Sequence, residues 1–265
     1  MPDIIAIEDA ADERIAGYRD IRERDLVGRQ GLFIAEGEVV LRMLARSPDH
    51  EALSVLIAEK RLTSLMPILS ELPDTIPVYT AGQAVLDGIA GFHLHRGILA
   101  LGRRMAAPTA DELCANARPD ALIVVLFGIA NHDNIGGIFR NAAAFGADGL
   151  LLDETCCDPL YRKATRVSVG ATLSVPYARL GQGEDGIALI ERHGFEAVSL
   201  SPAGATPLRR FVRSGRTAVI FGAEGPGLSP EVLARTKTVS IPMATGFDSL
   251  NVATTSGIVL HQLTG

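Results

Sequence analysis

The chain has 265 residues, of which 47% are hydrophobic and 21% are charged, and its formal net charge is −6. This balance excludes a disordered protein, and no apolar run reaches the roughly 20 residues that a membrane-spanning helix needs. The N-terminal sequence MPDIIAIEDAADER lacks the basic start and the long apolar stretch of a signal peptide, so we expect a cytoplasmic location. The length is natural for two domains.

The first part of the chain alternates short apolar runs with stretches of helical periodicity. Residues 4–25, which are rich in alternating charge, predict a helix. Strands are predicted at 31–37, 53–58, 76–79 and 97–101, and helices at 39–45, 60–72 and 84–89. This alternation predicts a compact α/β domain over residues 1–106, with a small sheet of its own.

A second α/β domain is predicted over residues 120–265, after a linker and helix at 107–119. It opens with Ala121-Leu-Ile-Val-Val-Leu-Phe127, an uninterrupted apolar run that is typical of a buried parallel strand. Further strands are predicted at 149–153, 173–175, 196–200, 217–221 and 238–241, with helices at 135–145, 187–193 and 230–235. The repeated alternation predicts an open parallel sheet covered on both faces.

Three windows of the chain contain basic residues and no acid, although the net charge is not that of a typical nucleic-acid binder. They lie between Asp87 and Asp111, Asp158 and Glu184, and Glu196 and Glu224. Their basic residues are Arg96, Arg103, Arg104, Arg162, Lys163, Arg166, Arg179, Arg209, Arg210, Arg213 and Arg216. Together they could form a phosphate-contacting face, while the plainer alternative is solvated surface.

The three cysteines, Cys114, Cys156 and Cys157, have no Cys-x-x-Cys spacing. They are typical of reduced thiols in a cytosolic protein, and we expect no metal site.

Polar, glycine-containing segments follow apolar strands at 131–149, 219–230 and 240–263. Backbone N–H groups in such loops and in the first turn of a helix lack intrahelical partners, so they can bind a polar ligand. The glycines Gly222, Gly225 and Gly227 allow tight turns and a close approach of the backbone to that ligand. Ser249 is expected to open the last helix, where a plain N-cap is the alternative to a role in a site.

These segments resemble the motifs of the SpoU (TrmH-like) family of RNA ribose methyltransferases in the SPOUT class. The first motif matches Asn134-Ile135-Gly136 through Arg140-Asn141, the second Phe221-Gly222-Ala223-Glu224-Gly225-Pro226-Gly227, and the third Ile241-Pro242-Met243 through Ser249-Leu250-Asn251-Val252. A looser resemblance links the first domain to the ribosomal-protein-like substrate-binding domain of the family. It is carried by Phe33-Ile34-Ala35-Glu36-Gly37 and His95-Arg96-Gly97-Ile98-Leu99-Ala100.

The resemblance implies an α/β fold in which a parallel-sheet domain with a deep trefoil knot follows a small α/β RNA-binding domain. It also implies a homodimer that uses S-adenosylmethionine to methylate the 2′-hydroxyl of a ribose in structured RNA, with ribosomal RNA favoured over tRNA. We expect no membrane partner. The apolar face of the last helix is a candidate dimer contact, with a core role as the alternative, and it consists of Val252, Ile258, Val259 and Leu260.

The site residues are also implied by the resemblance. Candidate catalytic residues are Asn134, Arg140, Glu224, Ser249 and Asn251; candidate cofactor-binding residues are Leu200, Gly222, Gly225, Ile241, Met243 and Leu250; candidate RNA-binding residues are Arg96, Arg162, Lys163 and Arg166. Since an arginine side chain holds its proton firmly, we expect Arg140 to position the substrate and stabilise charge rather than act as the base. Glu224 would accept backbone amides or fix Arg140.

Two alternatives remain open. Asn134-Ile-Gly-Gly137 invites a dinucleotide-binding interpretation, but it is not a G-x-G-x-x-G, and only Asp153 offers a strand-end acid about 20 residues on. The other alternative is a non-catalytic RNA-binding or ribosome-assembly factor. Its support is two departures from the family motif, namely Thr245 in the place of a glycine and Ala253 in the place of a serine.

Overall fold

The computed structural model describes residues 2–19, 31–90, 97–105, 107–246 and 249–265. The chain divides into two compact units. The first comprises Met1–Ala106 and Asp158–Ser174, and the second comprises Ala107–Cys157 and Val175–Gly265. Within the described ranges, no helix combines the length and the apolar character needed to span a membrane.

Strands and helices alternate along the described residues, as the sequence predicts. The strands are β1 (Ile4–Ile7), β2 (Leu32–Glu36), β3 (His50–Ala58), β4 (Val78–Ala81), β5 (Ile98–Arg104), β6 (Leu122–Leu126), β7 (Gly149–Leu152), β8 (Tyr177–Arg179), β9 (Glu196–Leu200), β10 (Thr206–Pro207), β11 (Thr217–Phe221) and β12 (Lys237–Ser240). The α-helices are α1 (Glu38–Arg46), α2 (Leu62–Leu69), α3 (Gln83–Ala90), α4 (Ala110–Ala115), α5 (His132–Phe145), α6 (Arg162–Val167), α7 (Gly186–Arg192), α8 (Pro230–Arg235) and α9 (Val252–Thr264). Short 3-10 helices lie at Glu13–Tyr18, Glu59–Arg61, Ala171–Leu173 and Leu208–Arg210.

The described strands of the first unit form a mixed sheet in the order β1-β4-β3-β5-β2. β1 and β3 both pair parallel with β4, whereas β5 pairs antiparallel with β3 and β2. Successive residues of a strand point to opposite faces, so both faces of this sheet can carry a core. Two buried apolar clusters result, one containing Phe33, Leu41 and Val55, and the other Ile34, Leu56 and Leu86.

The prediction of a helix over residues 4–25 is wrong for residues 4–19, and residues 20–25 lie outside the described ranges. Ile4–Ile7 form β1, in register with Val78–Ala81, and Glu13–Tyr18 form a 3-10 helix. The Ile-Ile-Ala-Ile run is rich in β-branched residues, which favour strands. Pairing with a strand about 70 residues away outweighed the charge pattern that suggested a helix.

The segment Asp158–Ser174 belongs to the first unit, although its neighbours in sequence on both sides belong to the second. Leu160 and Leu173 are buried in the same core cluster as Phe33. The hydroxyl of Ser47 donates a hydrogen bond of 2.8 Å to the Leu173 carbonyl. Both the apolar packing and this hydrogen bond hold the segment against the sheet of the first unit.

The predicted strand at 173–175 is wrong. Val169 and Gly170 have positive φ angles of 56° and 82°, so the chain turns sharply after α6 and closes as the 3-10 helix Ala171–Leu173. The strand follows a few residues later as β8. Helix α6 and the two-residue strand β10 had no counterpart among the predicted elements, because both are too short to show a periodicity.

The described strands of the second unit form a seven-stranded sheet in the order β10-β12-β9-β11-β6-β7-β8, and every pair in it is parallel. The predicted open parallel sheet is therefore confirmed. All five residues of β6 are buried, as its uninterrupted apolar run predicts. Because β12, β9 and β11 are parallel neighbours, the loops that follow them lie at one edge of the sheet.

Helices α5 and α9 approach each other closely in the second unit. A Cβ atom on Gly137 would lie 2.7 Å from the Cβ of Ala253, so the contact has room only for a glycine. The Asn141 side chain donates hydrogen bonds to the Ala253 carbonyl at 2.7 Å and to Ser256 Oγ at 2.9 Å. This packing fixes the start of α9 against α5, and it gives Ala253 a place in the helix contact.

Candidate active site

A pocket of about 500 Å³ lies beyond the carboxyl ends of β9, β11 and β12. Its wall is built from the loops that follow these strands and from the start of α9. Parallel sheets usually bind ligands at the carboxyl ends of their strands. All six candidate cofactor-binding residues line it: Leu200, Gly222, Gly225, Ile241, Met243 and Leu250. Ser201 and Pro202, which were not predicted from the sequence, line the pocket as well. Their position directly after the strand β9 could have identified them as pocket residues.

The loop after β11 folds back on itself at the pocket wall. A Cβ atom on Gly222 would lie 2.5 Å from the Gly227 carbonyl carbon and from the Leu228 nitrogen. Gly225 and Gly227 have φ angles of 85° and 67°, a region that side chains other than glycine rarely adopt. The three glycines therefore serve the tight turn that the sequence predicts.

The loop after β12 departs from the family motif at Thr245. Gly246 has a φ of 92°, whereas Thr245 is not among the described residues with positive φ. The positive φ of this loop thus falls on a glycine, the residue that adopts it most readily. Residues 247–248 lie outside the described ranges, and Met243 on the near side of the loop lines the pocket.

Three polar side chains join the three motif segments. Asn134 Nδ2 donates a 2.5 Å hydrogen bond to Glu224 Oε1, and Asn251 Nδ2 donates one of 2.9 Å to Asn134 Oδ1. Asn251 Nδ2 also lies 3.3 Å from Glu224 Oε1. Asn134 is 3% exposed, so its amide depends on these two partners. Glu224 accepts side-chain amides, which is neither of the two roles expected for it.

The last helix begins later than predicted. Asn251, and not Ser249, is its N-cap: Asn251 Oδ1 accepts hydrogen bonds from the Ala253 and Thr254 amides at 2.9 and 3.2 Å. Asn251 therefore uses one side-chain atom to cap α9 and the other to contact Asn134. Ser249 is exposed and lines the pocket, two residues before the helix start.

Arg140 lies on α5, six residues after Asn134. Its side chain is exposed and, within the described part of the chain, makes no hydrogen bond or ion pair. The expectation that Glu224 fixes Arg140 is not met, because Glu224 is held by the two asparagines. An exposed guanidinium with five N–H donors is suited to bind a phosphate or another anionic or hydroxyl group of a substrate.

The candidate RNA-binding residues fall on α6, except for Arg96, which lies outside the described residues. Arg166 Nη1 is 3.3 Å and Arg162 Nε is 3.8 Å from the same oxygen, Oε2 of Glu36. Lys163 lies between them in sequence and is exposed. Glu36 had no predicted role, although it falls in the stretch that resembles the substrate-binding domain.

The third basic window separates into structural and exposed residues. Arg216 donates to the backbone carbonyls of Cys114, Ala117, Arg118 and His193, and Arg213 donates to the carbonyl of Asp120. Arg209 and Arg210 are exposed. A charge window read from the sequence therefore does not translate as a whole into a phosphate-contacting face.

The dinucleotide-binding alternative depends on Asp153, and the structure gives that carboxylate another task. It accepts hydrogen bonds from the Gly128 amide at 3.0 Å, from Thr155 Oγ1 at 2.9 Å and from the Cys156 amide at 2.9 Å. A carboxylate engaged by its own loop is poorly placed to bind a ribose hydroxyl. The alternative therefore loses the acid that it requires.

Two of the cysteines are buried thiols. Burial raises the pKa of Cys114 to about 11 and that of Cys156 to about 12, so both are protonated at neutral pH. Among the described residues, no group of three or more histidine, cysteine, aspartate or glutamate side chains could hold a metal ion.

Comparisons with known proteins identify the family and the fold of this chain. The family model described as SpoU rRNA Methylase family matches residues 121–261. A protein of Mycobacterium bovis named as an uncharacterized tRNA/rRNA methyltransferase is 37% identical over 99% of this chain and 93% of its own length. Among solved structures, an AdoMet-bound rRNA methyltransferase from Sinorhizobium meliloti superposes with a TM-score of 0.82 at 20% identity, covering 98% of this chain and 97% of that one. At 20% identity, this similarity shows that the two chains share a fold. An RNA 2′-O ribose methyltransferase superposes with a TM-score of 0.74 at 25% identity, covering 97% of both chains.

The family match and the fold define an RNA methyltransferase whose cofactor is S-adenosylmethionine. The chain belongs to the SpoU rRNA methylase family.

Proposed function

We propose that this protein transfers the methyl group of S-adenosylmethionine to the 2′-hydroxyl of a ribose in structured RNA, and that ribosomal RNA is its substrate in preference to tRNA. The observation that carries the proposal is the hydrogen-bonded cluster of Asn134, Glu224 and Asn251. It joins the three motif segments in the second unit, and Glu224 and Asn251 also line the pocket. Ribose specificity is further supported by the similarity to the RNA 2′-O ribose methyltransferase.

The pocket fits the cofactor in size and in lining. A volume of about 500 Å³ lies within the range of ordinary small-molecule sites. Leu200, Ile241 and Leu250 would contact the apolar face of the adenine, and the glycine loop at Gly222 would bring backbone groups to the polar edges. When bound, S-adenosylmethionine supplies an electrophilic methyl group on a positively charged sulfur.

We assign the protein side of the reaction to positioning and electrostatics. Arg140 binds the substrate ribose or its flanking phosphate and stabilises the negative charge that develops on the ribose oxygen as the hydroxyl releases its proton to solvent water. Asn134, Glu224 and Asn251 hold the loops in the geometry that the transfer needs, since alignment alone can supply a large part of a rate acceleration. Ser249 lines the pocket together with Glu224 and Asn251, and we assign to it the contact with the substrate hydroxyl.

The finer implications of the family resemblance stay predictions. They are the trefoil knot, the homodimer, the cytoplasmic location and RNA binding by the first unit. Most of the apolar face predicted for the dimer contact is already covered within the chain. Val252, Val259 and Leu260 are buried, whereas Ile258 is 39% exposed. A dimer contact through this helix would therefore centre on Ile258, and light scattering with Ile258→Glu tests it.

Product analysis tests the proposed function. Unmodified ribosomal RNA and tRNA transcripts are incubated with the protein and with S-adenosylmethionine carrying an isotopic label in its methyl group, and the digested nucleosides are separated. A label in 2′-O-methyl nucleosides of ribosomal RNA is the expected result. A label on a base, or in tRNA alone, would contradict the assigned atom or the assigned substrate.

Binding and product measurements distinguish the proposed function from the two alternatives, a dinucleotide-binding enzyme and a non-catalytic RNA-binding factor. Calorimetric titration should show that S-adenosylmethionine and S-adenosylhomocysteine bind with micromolar affinity, whereas NAD should not bind. A non-catalytic factor would bind the cofactor and RNA without forming a methylated product. Of the two departures that support a non-catalytic factor, Thr245 precedes Gly246, which has the positive φ of this loop, and Ala253 lies in the contact with Gly137.

A further inference from the structure

Helix α6 departs from the rules that stabilise a short helix. It begins with Arg162 and Lys163, which oppose the positive end of the helix dipole, and its N-cap Tyr161 makes no side-chain capping hydrogen bond. Arg162 and Arg166 are four residues apart, so two like charges lie on the same face. Local rules of this kind are most often broken where a segment has a function.

Backbone strain follows directly after this helix. Val169 has a φ of 56°, which is the only positive φ at a described residue other than glycine. A β-branched residue in this region is a true outlier and costs stability. The turn is nevertheless held in place, because Gly170 packs against Met43 and Leu173 is buried in the core. The first unit thus maintains α6 in spite of unfavourable local terms.

Glu36 supplies the negative charge that pairs with the two arginines of α6. It ends β2, its side chain is 9% exposed, and its Oε2 atom is shared by Arg166 Nη1 at 3.3 Å and Arg162 Nε at 3.8 Å. A carboxylate so little exposed costs free energy unless it is paired. Arg166 remains 42% exposed, so its guanidinium is held on one side by Glu36 and is open to solvent.

We propose that Arg162 and Arg166 form a two-guanidinium site for a phosphate group of the RNA substrate, and that Glu36 is the positioning residue that holds both in the binding orientation. The inference rests on the proposed function, because RNA is the ligand in both. Two guanidinium groups that share one carboxylate oxygen are pre-organised, so little side-chain entropy remains to be lost when a phosphate binds.

The competing explanation is that Glu36 only fastens α6 to β2. The two explanations predict opposite signs for Glu36→Gln. Replacing the acid by a neutral side chain of the same shape makes the protein one unit more positive, which by charge alone strengthens RNA binding. If Glu36 orients the two arginines, RNA binding weakens in spite of the more favourable charge.

The test measures the affinity of full-length protein for an unmodified ribosomal RNA transcript over a series of salt concentrations. We expect Glu36→Gln to bind about fivefold more weakly than wild type, since it loses the charge-assisted hydrogen bond to Arg166 and the ion pair with Arg162 that orient the two arginines. Glu71→Gln is the matched control, because Glu71 pairs with Arg46 in the same unit at 2.7 Å and the charge change is identical. It should bind as tightly as wild type or slightly more tightly.

A second variant ensures that a folding defect in Glu36→Gln is not mistaken for the loss of the phosphate site. Arg162→Lys with Arg166→Lys preserves every charge and removes the planar fork, so RNA binding should weaken with no change in thermal stability or cofactor affinity. In that background Glu36→Gln should have little further effect. Equal binding by Glu36→Gln and Glu71→Gln, or full additivity with the lysine variant, would overturn the inference.

The outcomes also separate this inference from the proposed function. If wild type binds the transcript and gives no 2′-O-methyl product, the methyl-transfer proposal fails while the Glu36 comparison still stands. If wild type methylates ribose and Glu36→Gln binds RNA as well as the control, the positioning role fails alone. Absence of RNA binding by wild type overturns both.

Discussion

Asn134 is the residue at which the motif segments of the second unit meet. Its amide nitrogen donates to Glu224 and its amide oxygen accepts from Asn251, and it is almost completely buried. An aspartate in its place has the same shape but no donor. It would set two carboxylates against each other at hydrogen-bond distance, which is unfavourable for both charges.

Asn134→Asp should therefore reduce methyl transfer by about 100-fold and destabilise the protein by about 1–3 kcal/mol, the usual range for a broken buried hydrogen bond. Turnover and thermal denaturation measure the two effects. Asn131→Asp is the control on the same helix: Asn131 is the N-cap of α5, and an aspartate caps equally well, so stability should be unchanged. Equal effects at both positions would show that the Asn134 network has no special role.

His50 makes stability depend on pH. Burial, followed by the nearby positive charge of Arg104, lowers its pKa from 6.5 to about 4. Between these two pH values the unfolded chain binds a proton that the folded chain does not, so unfolding becomes easier as the pH falls through that window. The stabilising contribution is fully present above about pH 6.5.

We expect the melting temperature of wild type to decrease from about pH 6.5 to about pH 4 more steeply than that of His50→Gln, which has no imidazole to protonate. Thermal denaturation across this range gives the comparison. Parallel curves for the two proteins would mean that His50 does not contribute to the acid sensitivity.

At the scale of elements, the contact between α5 and α9 positions the site. It places Asn251, at the start of α9, against Asn134 in the first turn of α5. Gly137→Ala would bring two Cβ atoms to 2.7 Å and push the helices apart. The expected cost is about 1–3 kcal/mol of stability, as for other overpacked contacts, together with a loss of turnover.

A second substitution at the same contact should restore the turnover that Gly137→Ala loses. Ala253→Gly removes the opposing Cβ, so the double variant Gly137→Ala with Ala253→Gly should recover most of the turnover that the single variant loses. Some stability remains lost, because a glycine within a helix costs about 1 kcal/mol. Failure of the second substitution to restore turnover would indicate that the helix spacing is not what Gly137 controls.

The sequence was informative where chemistry requires particular residues at particular spacings. Glycines at 222, 225 and 227 predicted a tight loop, and the apolar run of β6 predicted a buried parallel strand. It was misleading where distant contacts decide the local structure. Ile4–Ile7 became a strand because β4 was available as a partner. The last helix starts after Asn251 and not at Ser249, and this asparagine both caps the Ala253 and Thr254 amides and contacts the distant Asn134.

At the scale of the whole molecule, charge windows were the weakest guide. The sequence places Arg209, Arg210, Arg213 and Arg216 in one basic window, yet Arg216 caps backbone carbonyls and Arg213 contacts the Asp120 carbonyl. Nor could the sequence show that Asp158–Ser174 packs with the first unit, since this depends on the burial of Leu160 and Leu173. With a net charge of −6, RNA binding must come from local clusters.

The proposed active site requires that Arg140 serves the reaction and not the fold. Its side chain is exposed and has no partner within the described residues, so its removal should leave the structure intact. A mutation that removes an interaction made in the transition state lowers turnover without weakening cofactor binding.

The most direct test is the single-turnover rate of ribose methylation by Arg140→Ala, measured beside its affinity for S-adenosylmethionine. We predict a rate at least about 100-fold below wild type, with cofactor affinity and melting temperature unchanged. A rate close to that of wild type would contradict the role of Arg140, and with it the proposed arrangement of the active site.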